Sequence, residues 1–128
     1  MNPVIYFEIP VQDVERATQF YEEVFGYKLA RAINARTREP YASIFPRKKN
    51  QAGAFGILLK AKENKPSKAG VVVYFSSDNI ENTLCKATKN GGVIVSPSEN
   101  TGIGYTATIE DTEGNLIGIL QECVDENK

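Results

Sequence analysis

The side chains that most often do chemistry are sparse in this sequence, and histidine is missing altogether. Without an imidazole there is no Ser–His or Cys–His pair to activate a nucleophile. Cys85 and Cys123 are the only cysteines. Cys85 stands beside the apolar stripe of a predicted helix, where a thiol is expected to pack rather than react. Cys123 is assigned no role. Gly102-Ile103-Gly104 lacks the spacing and the Lys-Ser/Thr pair of a phosphate loop, and reads as the entry to a strand. Carboxylates and phenols remain. Strand alternation puts Tyr6 and Glu8 on one face, and Gly118, Leu120 and Glu122 on one face of a later strand. Two such carboxylates can hold a hard cation such as Mg²⁺ only weakly. The plainer use of Glu8 is an ordinary hydrogen bond; that of Glu122 is a solvated strand end or a contact with Lys60. Tyr6, Tyr41, Tyr74 and Tyr105 offer flat apolar surfaces with a polar tip.

The elements that must position these groups are legible in outline. A chain of 128 residues, 41% hydrophobic and 24% charged, suits one soluble domain with a usable core. Fifteen basic residues against sixteen acidic ones give a net charge of -1, which favours neither nucleic acid nor an anionic membrane as a partner. No basic region precedes an apolar run at the start, and no stretch approaches the roughly 20 apolar residues of a spanning helix. With two cysteines a disulfide framework is not expected, and the cytoplasm is the expected location.

The sequence is written twice. Tyr6-Phe7-Glu8-Ile9-Pro10-Val11-Gln12-Asp13 is echoed by Val72-Val73-Tyr74-Phe75-Ser76-Ser77-Asp78-Asn79, an offset of 66. Tyr41-Ala42-Ser43-Ile44-Phe45 matches Tyr105-Thr106-Ala107-Thr108-Ile109 at an offset of 64, and Gly56-Ile57-Leu58-Leu59 matches Gly118-Ile119-Leu120-Gln121 at 62. Each copy reads as strand, helix, then three strands. Val4 to Ile9 alternates as a strand should. Asp13 can cap a helix whose face is Val14, Ala17, Phe20, Tyr21, Val24 and Phe25, with Gly26 as its stop. Asn79 caps the second helix, with Ile80, Leu84 and Ala87 as its stripe and Gly91-Gly92 at its end. The remaining strands fall at 29–33, 41–45 and 54–60, then at 93–96, 104–109 and 116–122. The lysine-rich stretch 60–69 and Arg47-Lys48-Lys49 read as a solvated linker and a hairpin tip, with an anion patch as the alternative for both.

The stretch Ile9-Pro10-Val11-Gln12-Asp13-Val14-Glu15-Arg16-Ala17, with Phe20-Tyr21 and Val24-Phe25-Gly26, resembles the opening of vicinal-oxygen-chelate proteins, the glyoxalase/bleomycin-resistance/dioxygenase group. Glu110-Asp111-Thr112-Glu113-Gly114-Asn115 resembles the turn before that family's last strand, with Thr112 in place of the usual Pro. The likeness runs from about Val4 to Glu122. It implies an α+β fold: two tandem βαβββ modules forming a curved mixed sheet around a cleft, helices outside. The expected layout is a single domain over 1–128, with module one at about 4–60, a linker at about 61–69 and module two at about 70–122. The resemblance also implies a homodimer, with the modules pairing within one chain or between two.

Family enzymes hold a divalent metal with His, Glu or Gln from the first and last strands of each module. By the resemblance those places fall on Tyr6, Val72, Gly56 and Gly118, none of which is a usable ligand. The expectation is therefore no metal and no cofactor, and not a standard metal-dependent glyoxalase or dioxygenase. A small amphipathic or aromatic molecule would bind in the cleft, with Tyr6, Glu8, Tyr74, Tyr105, Leu120 and Glu122 as contacts, and the two glycines leaving space. The alternative is a glyoxalase-class lyase or isomerase with a non-standard carboxylate or metal site, using Glu8 or Glu122 as base. A scaffold retained only to bind a protein partner is a third reading.

Overall fold

The computed structural model describes residues 3–47 and 53–122. In chain order it holds β1 (Tyr6–Pro10), α1 (Val14–Phe25), β2 (Ala30–Ile33), β3 (Pro40–Ile44) and β4 (Phe55–Leu59), then β5 (Val73–Ser76), α2 (Ile80–Lys89), β6 (Val93–Asn100), β7 (Gly104–Glu110) and β8 (Leu116–Glu122). The twofold βαβββ pattern is present, within a residue or two of the expected bounds except at β6. There the strand runs on to Asn100, through register shifts after Ile94 and Ser96.

The helices form where local chemistry permits. Asp13 accepts from the Arg16 amide at 3.0 Å, and Asn79 does the same for Asn82 at 3.1 Å. Gly26 adopts the left-handed conformation, φ 79°, that ends α1. In α2 the capping residue is Asn90 rather than the glycines that follow it.

Each module folds into one four-stranded sheet, ordered β1-β4-β3-β2 and β5-β8-β7-β6. β1 and β5 run parallel to β4 and β8, and the other pairings are antiparallel. The two sheets do not join, so β1 and β5 each present an open edge. One face of each sheet is covered by its helix. Ile9, Leu58, Phe75, Ile109, Ile117 and Ile119 meet Ala17, Phe20, Tyr21, Leu84 and Ala87 in a single core.

The pairing register corrects one offset. Phe7 lies opposite Gly56, and its repeat partner Val73 lies opposite Ile117. Ile44 lies opposite Ile57, and its partner Thr108 opposite Gly118. The last strands therefore correspond at an offset of 61, not 62, and Gly118 matches Ile57. A slip of one residue exchanges the two faces of a strand.

Besides the shared core, a buried turn at residues 111–115 joins the modules. Asp111 Oδ1 accepts from the Glu113 and Asn115 amides at 2.8 and 2.9 Å, which shapes the turn. Its Oδ2 accepts from the Tyr21 hydroxyl of α1 at 2.7 Å. Glu113 Oε1 takes the Gln12 and Asp13 amides, both at 2.8 Å, and Arg16 grips both carboxylate oxygens at 2.7 and 3.0 Å. Asn115 Nδ2 donates to the Pro10 carbonyl at 2.8 Å. Thr112, where a proline would have no donor, gives its hydroxyl to Glu113 at 3.0 Å.

Burial pushes the Glu113 carboxyl up. The Arg16 guanidinium, the Asp13 and Gln12 amides and the Thr112 hydroxyl pull it down by more, leaving it below the ordinary carboxylate value. A carboxylate depressed by folding stabilises the fold above its unfolded pKa, and that stability is lost as pH falls through the folded pKa. Glu113→Ala should therefore cost about 3 kcal/mol at neutral pH, measured by urea melts. Glu113→Gln should flatten the acid limb below about pH 4.5 in the stability–pH curve. An unchanged acid limb would show that another group carries it.

Candidate functional site

The helix-free faces of the two sheets are where side chains meet solvent in an ordered array. On the first sheet this face carries Tyr6 and Glu8 of β1, Ile57 and Leu59 of β4, and Ala42 and Ile44 of β3. Tyr6 donates its hydroxyl to Glu8 Oε2 at 2.8 Å and tilts against Phe55 at 5.2 Å between ring centres. Partial burial raises the Tyr6 phenol above its ordinary pKa, and the hydrogen bond and charge of Glu8 raise it further. On the second sheet the face carries Tyr74, Gly118, Leu120, Thr106 and Thr108. Glu122 closes the row opposite Gly104.

Tyr6 and Glu8 therefore form one group, and Tyr74, Leu120 and Glu122 share a face of the other sheet. Tyr105 does not join them. It pairs with Gln121, whose side chain turns to the α2 amide of Ile80, so Tyr105 lies on the helix side of β7. The reason is alternation: the residues at 106 and 108 face one way, and 105 and 107 the other. Among the described residues, concavities of about 610, 450 and 750 Å³ mark the surface. Tyr74 lines the first with Phe7, Tyr27, Phe45 and Phe75, but Tyr6, Glu8, Tyr105, Leu120 and Glu122 line none of the three.

The glycines do not leave the space expected of them. A Cβ at Gly118 would lie 2.4 Å from the Tyr74 ring, so the ring already covers the position. At Gly56 a Cβ would meet the Phe7 carbonyl and ring at 2.4 and 2.5 Å, on the helix side. Each glycine seats an aromatic ring from the neighbouring strand. Cys85 is likewise displaced from expectation: it is exposed, because the buried stripe of α2 is Ile80, Thr83, Leu84 and Ala87. Cys123, Lys48 and Lys49 lie outside the described residues. Arg47 places its guanidinium 4.3 Å from the centre of the Phe55 ring.

With the register corrected, the four places that resemble metal-ligand positions carry Tyr6, Val72, Ile57 and Gly118. Among the described residues no three His, Cys, Asp or Glu side chains converge where an ion could sit. The donor set does not fit a vicinal-oxygen-chelate metal, and no chemistry is derived through one. The structural feature that sequence reading missed is the clamp at Glu113. The Arg16–Glu113 pair spans 97 residues, and no local pattern announces it.

The chain belongs to the Glyoxalase/Bleomycin resistance protein/Dioxygenase superfamily, whose pattern it matches over residues 4–119. A glyoxylase-like domain-containing protein from Didymella fabae is 32% identical over 114 residues, which is 88% of each chain. Among solved structures, a glyoxalase/bleomycin resistance protein from Albidiferax ferrireducens superposes with a TM-score of 0.72 at 17% identity, over 95% of this chain and 100% of that one. TnmS3, an antibiotic binding protein from a Streptomyces species, does so with a TM-score of 0.66 at 23% identity, over 96% and 98%. These structural likenesses bear on the fold. No helix among the described residues is long and apolar enough to cross a membrane.

The seat of Tyr74 on Gly118 can be tested directly. Gly118→Val should unseat the ring and cost about 1–3 kcal/mol by overpacking. Urea melts and the ring NMR signals of Tyr74 would report it; an unmoved ring would refute the cross-strand seat.

Proposed function

We propose that this protein binds a small amphipathic or aromatic molecule on the helix-free faces of its sheets, without a metal ion, as a homodimer in the cytoplasm. The observation that carries this reading is the exposure of a patterned apolar surface: Tyr6 is 41% exposed, Ile44 39% and Tyr74 49%. Hydrogen-bonding groups punctuate it, namely Glu8, Thr106, Thr108 and Glu122. Flat rings with a few directed polar groups suit a planar ligand. The antibiotic-binding relative supports the same reading from a scaffold of this shape.

A second copy is favoured by the edges. Among the described residues β1 and β5 each lack a strand partner on one side. Beside them Val4, Ile5 and Val71 are 60%, 71% and 94% exposed. Unpaired edges flanked by apolar side chains are surfaces that another chain satisfies. Closing a face against a second copy would turn an open sheet into the wall of a cleft. In that cleft Tyr6, Glu8, Tyr74, Leu120 and Glu122 are the proposed contacts. Tyr105 would contribute only from the rim.

A thermal-shift screen of planar organic compounds and divalent metals tests the reading. A ligand at about 100 times its Kd adds about 2.7 kcal/mol, a rise of several degrees in Tm. Organic ligands should produce it and metals should not, and Tyr74→Ala should remove it. Light scattering should give twice the 14.1 kDa chain mass. A panel in which nothing shifts the Tm, or in which only a metal does, would sink the proposal.

A further inference from the structure

Positive charge is not spread evenly along this chain. Residues 34–68 carry nine of its fifteen basic side chains and two of its sixteen acidic ones. The fold gathers part of that segment around a groove of about 750 Å³, whose lining shares no residue with those named above on the helix-free sheet faces. One wall is the β2–β3 turn and the other is the start of the β4–β5 linker. Lys60, Lys62 and Lys65 line the linker side. Among the described residues none of the three forms an ion pair, whereas Lys68 is held by Glu110 at 3.2 Å.

The opposite wall is tied by its own hydrogen bonds and carries donors. Asn34 Oδ1 accepts from the Arg36 and Thr37 amides at 2.8 and 3.2 Å, which leaves the Asn34 NH₂ to donate into the groove. The Thr37 oxygen accepts from the Glu39 amide at 3.3 Å, which leaves its O–H to donate. Tyr41 sits across the strand pair from Lys60, whose amide bonds the Tyr41 carbonyl at 3.0 Å, and its ring is 48% exposed. A flat exposed ring beside a cluster of ammonium groups is a stacking platform with an anion seat. Glu39 supplies one acceptor on the same wall. The α1 N-terminus, which borders the groove through Gln12, is not the anion seat, because Glu113 already takes the Gln12 and Asp13 amides.

We propose that this groove binds a small organic phosphate carrying a flat ring, of the nucleoside diphosphate class. The ring lies on Tyr41, the phosphates sit among Lys60, Lys62 and Lys65, and Glu39 accepts from a hydroxyl or a ring N–H. Lysine serves as a point charge for phosphate, and the groove is of the size that encloses one small molecule.

Calorimetric titration of the full chain at low salt tests this, with three probes: adenosine diphosphate, inorganic pyrophosphate and a short single-stranded oligonucleotide. Adenosine diphosphate should bind with a Kd on the order of 0.1 mM, weakening as salt rises. The exposed double variant Lys62→Gln, Lys65→Gln should weaken both small probes about ten-fold. Tyr41→Ala should weaken adenosine diphosphate several-fold and leave pyrophosphate unchanged. Tyr74→Ala should change neither, which separates this groove from the sheet-face site. Absence of binding up to about 1 mM, or binding indifferent to the lysine variant, would overturn the proposal. Oligonucleotide binding tighter than adenosine diphosphate through the same lysines would overturn it too, since the patch would then serve nucleic acid.

Discussion

Two buried carboxylates hold this molecule together. Asp111 and Glu113 sit in one tight turn of the second module, yet their partners Tyr21, Gln12, Asp13 and Arg16 belong to the first helix and its approach. Burying a carboxylate is costly unless its oxygens are matched, and here every oxygen has at least two donors. The Tyr21 phenol is fully buried, and burial with the neighbouring Asp111 charge keeps it protonated far above its ordinary range, so it stays a donor. The arrangement is directional in a way that apolar packing is not. It fixes which end of α1 meets which end of the second sheet, and so sets how the two core faces merge.

That fixed relationship has a consequence for the other side of the sheets. With both helices and both core faces committed to one interior, each sheet is left with a bare face and, among the described residues, with edge strands that pair on one side only. On those faces the family's ligand positions hold a phenol, two aliphatic side chains and a glycine. The chemistry available there is stacking, apolar contact and hydrogen bonding. The glycine that seemed to open space instead lets the Tyr74 ring lie down against the sheet, with Tyr74 still about half exposed. Aromatic side chains, Tyr6 and Tyr74, dominate the exposed relief of these faces.

Much of the fold was legible because its signals are local. Asp13, Asn79 and Gly26 mark helix ends by their own chemistry, and the helix stripes follow from spacing. The error in the repeat offset arises because apolar strands resemble one another. Matching Gly56 with Gly118 by letter gave an offset one residue too long, whereas packing pairs Gly56 with Phe7 and Gly118 with Tyr74. The same alternation that puts Tyr6 with Glu8, and Tyr74 with Leu120, turns Tyr105 to the helix side, although it matches Tyr41 in the repeat. Cys85 was judged by proximity to a stripe that passes beside it. The Glu113 clamp could be seen only as a turn, since its partners lie about a hundred residues away.

The central claim is that a scaffold built elsewhere around an ion has here become a bare binding surface. Equilibrium dialysis of the purified protein against Zn²⁺, Ni²⁺, Fe²⁺ and Mg²⁺, followed by elemental analysis, addresses it most directly. The account predicts no stoichiometric uptake of any of them. One ion retained per chain, and lost on replacing Glu8 or Glu122 by glutamine, would contradict it.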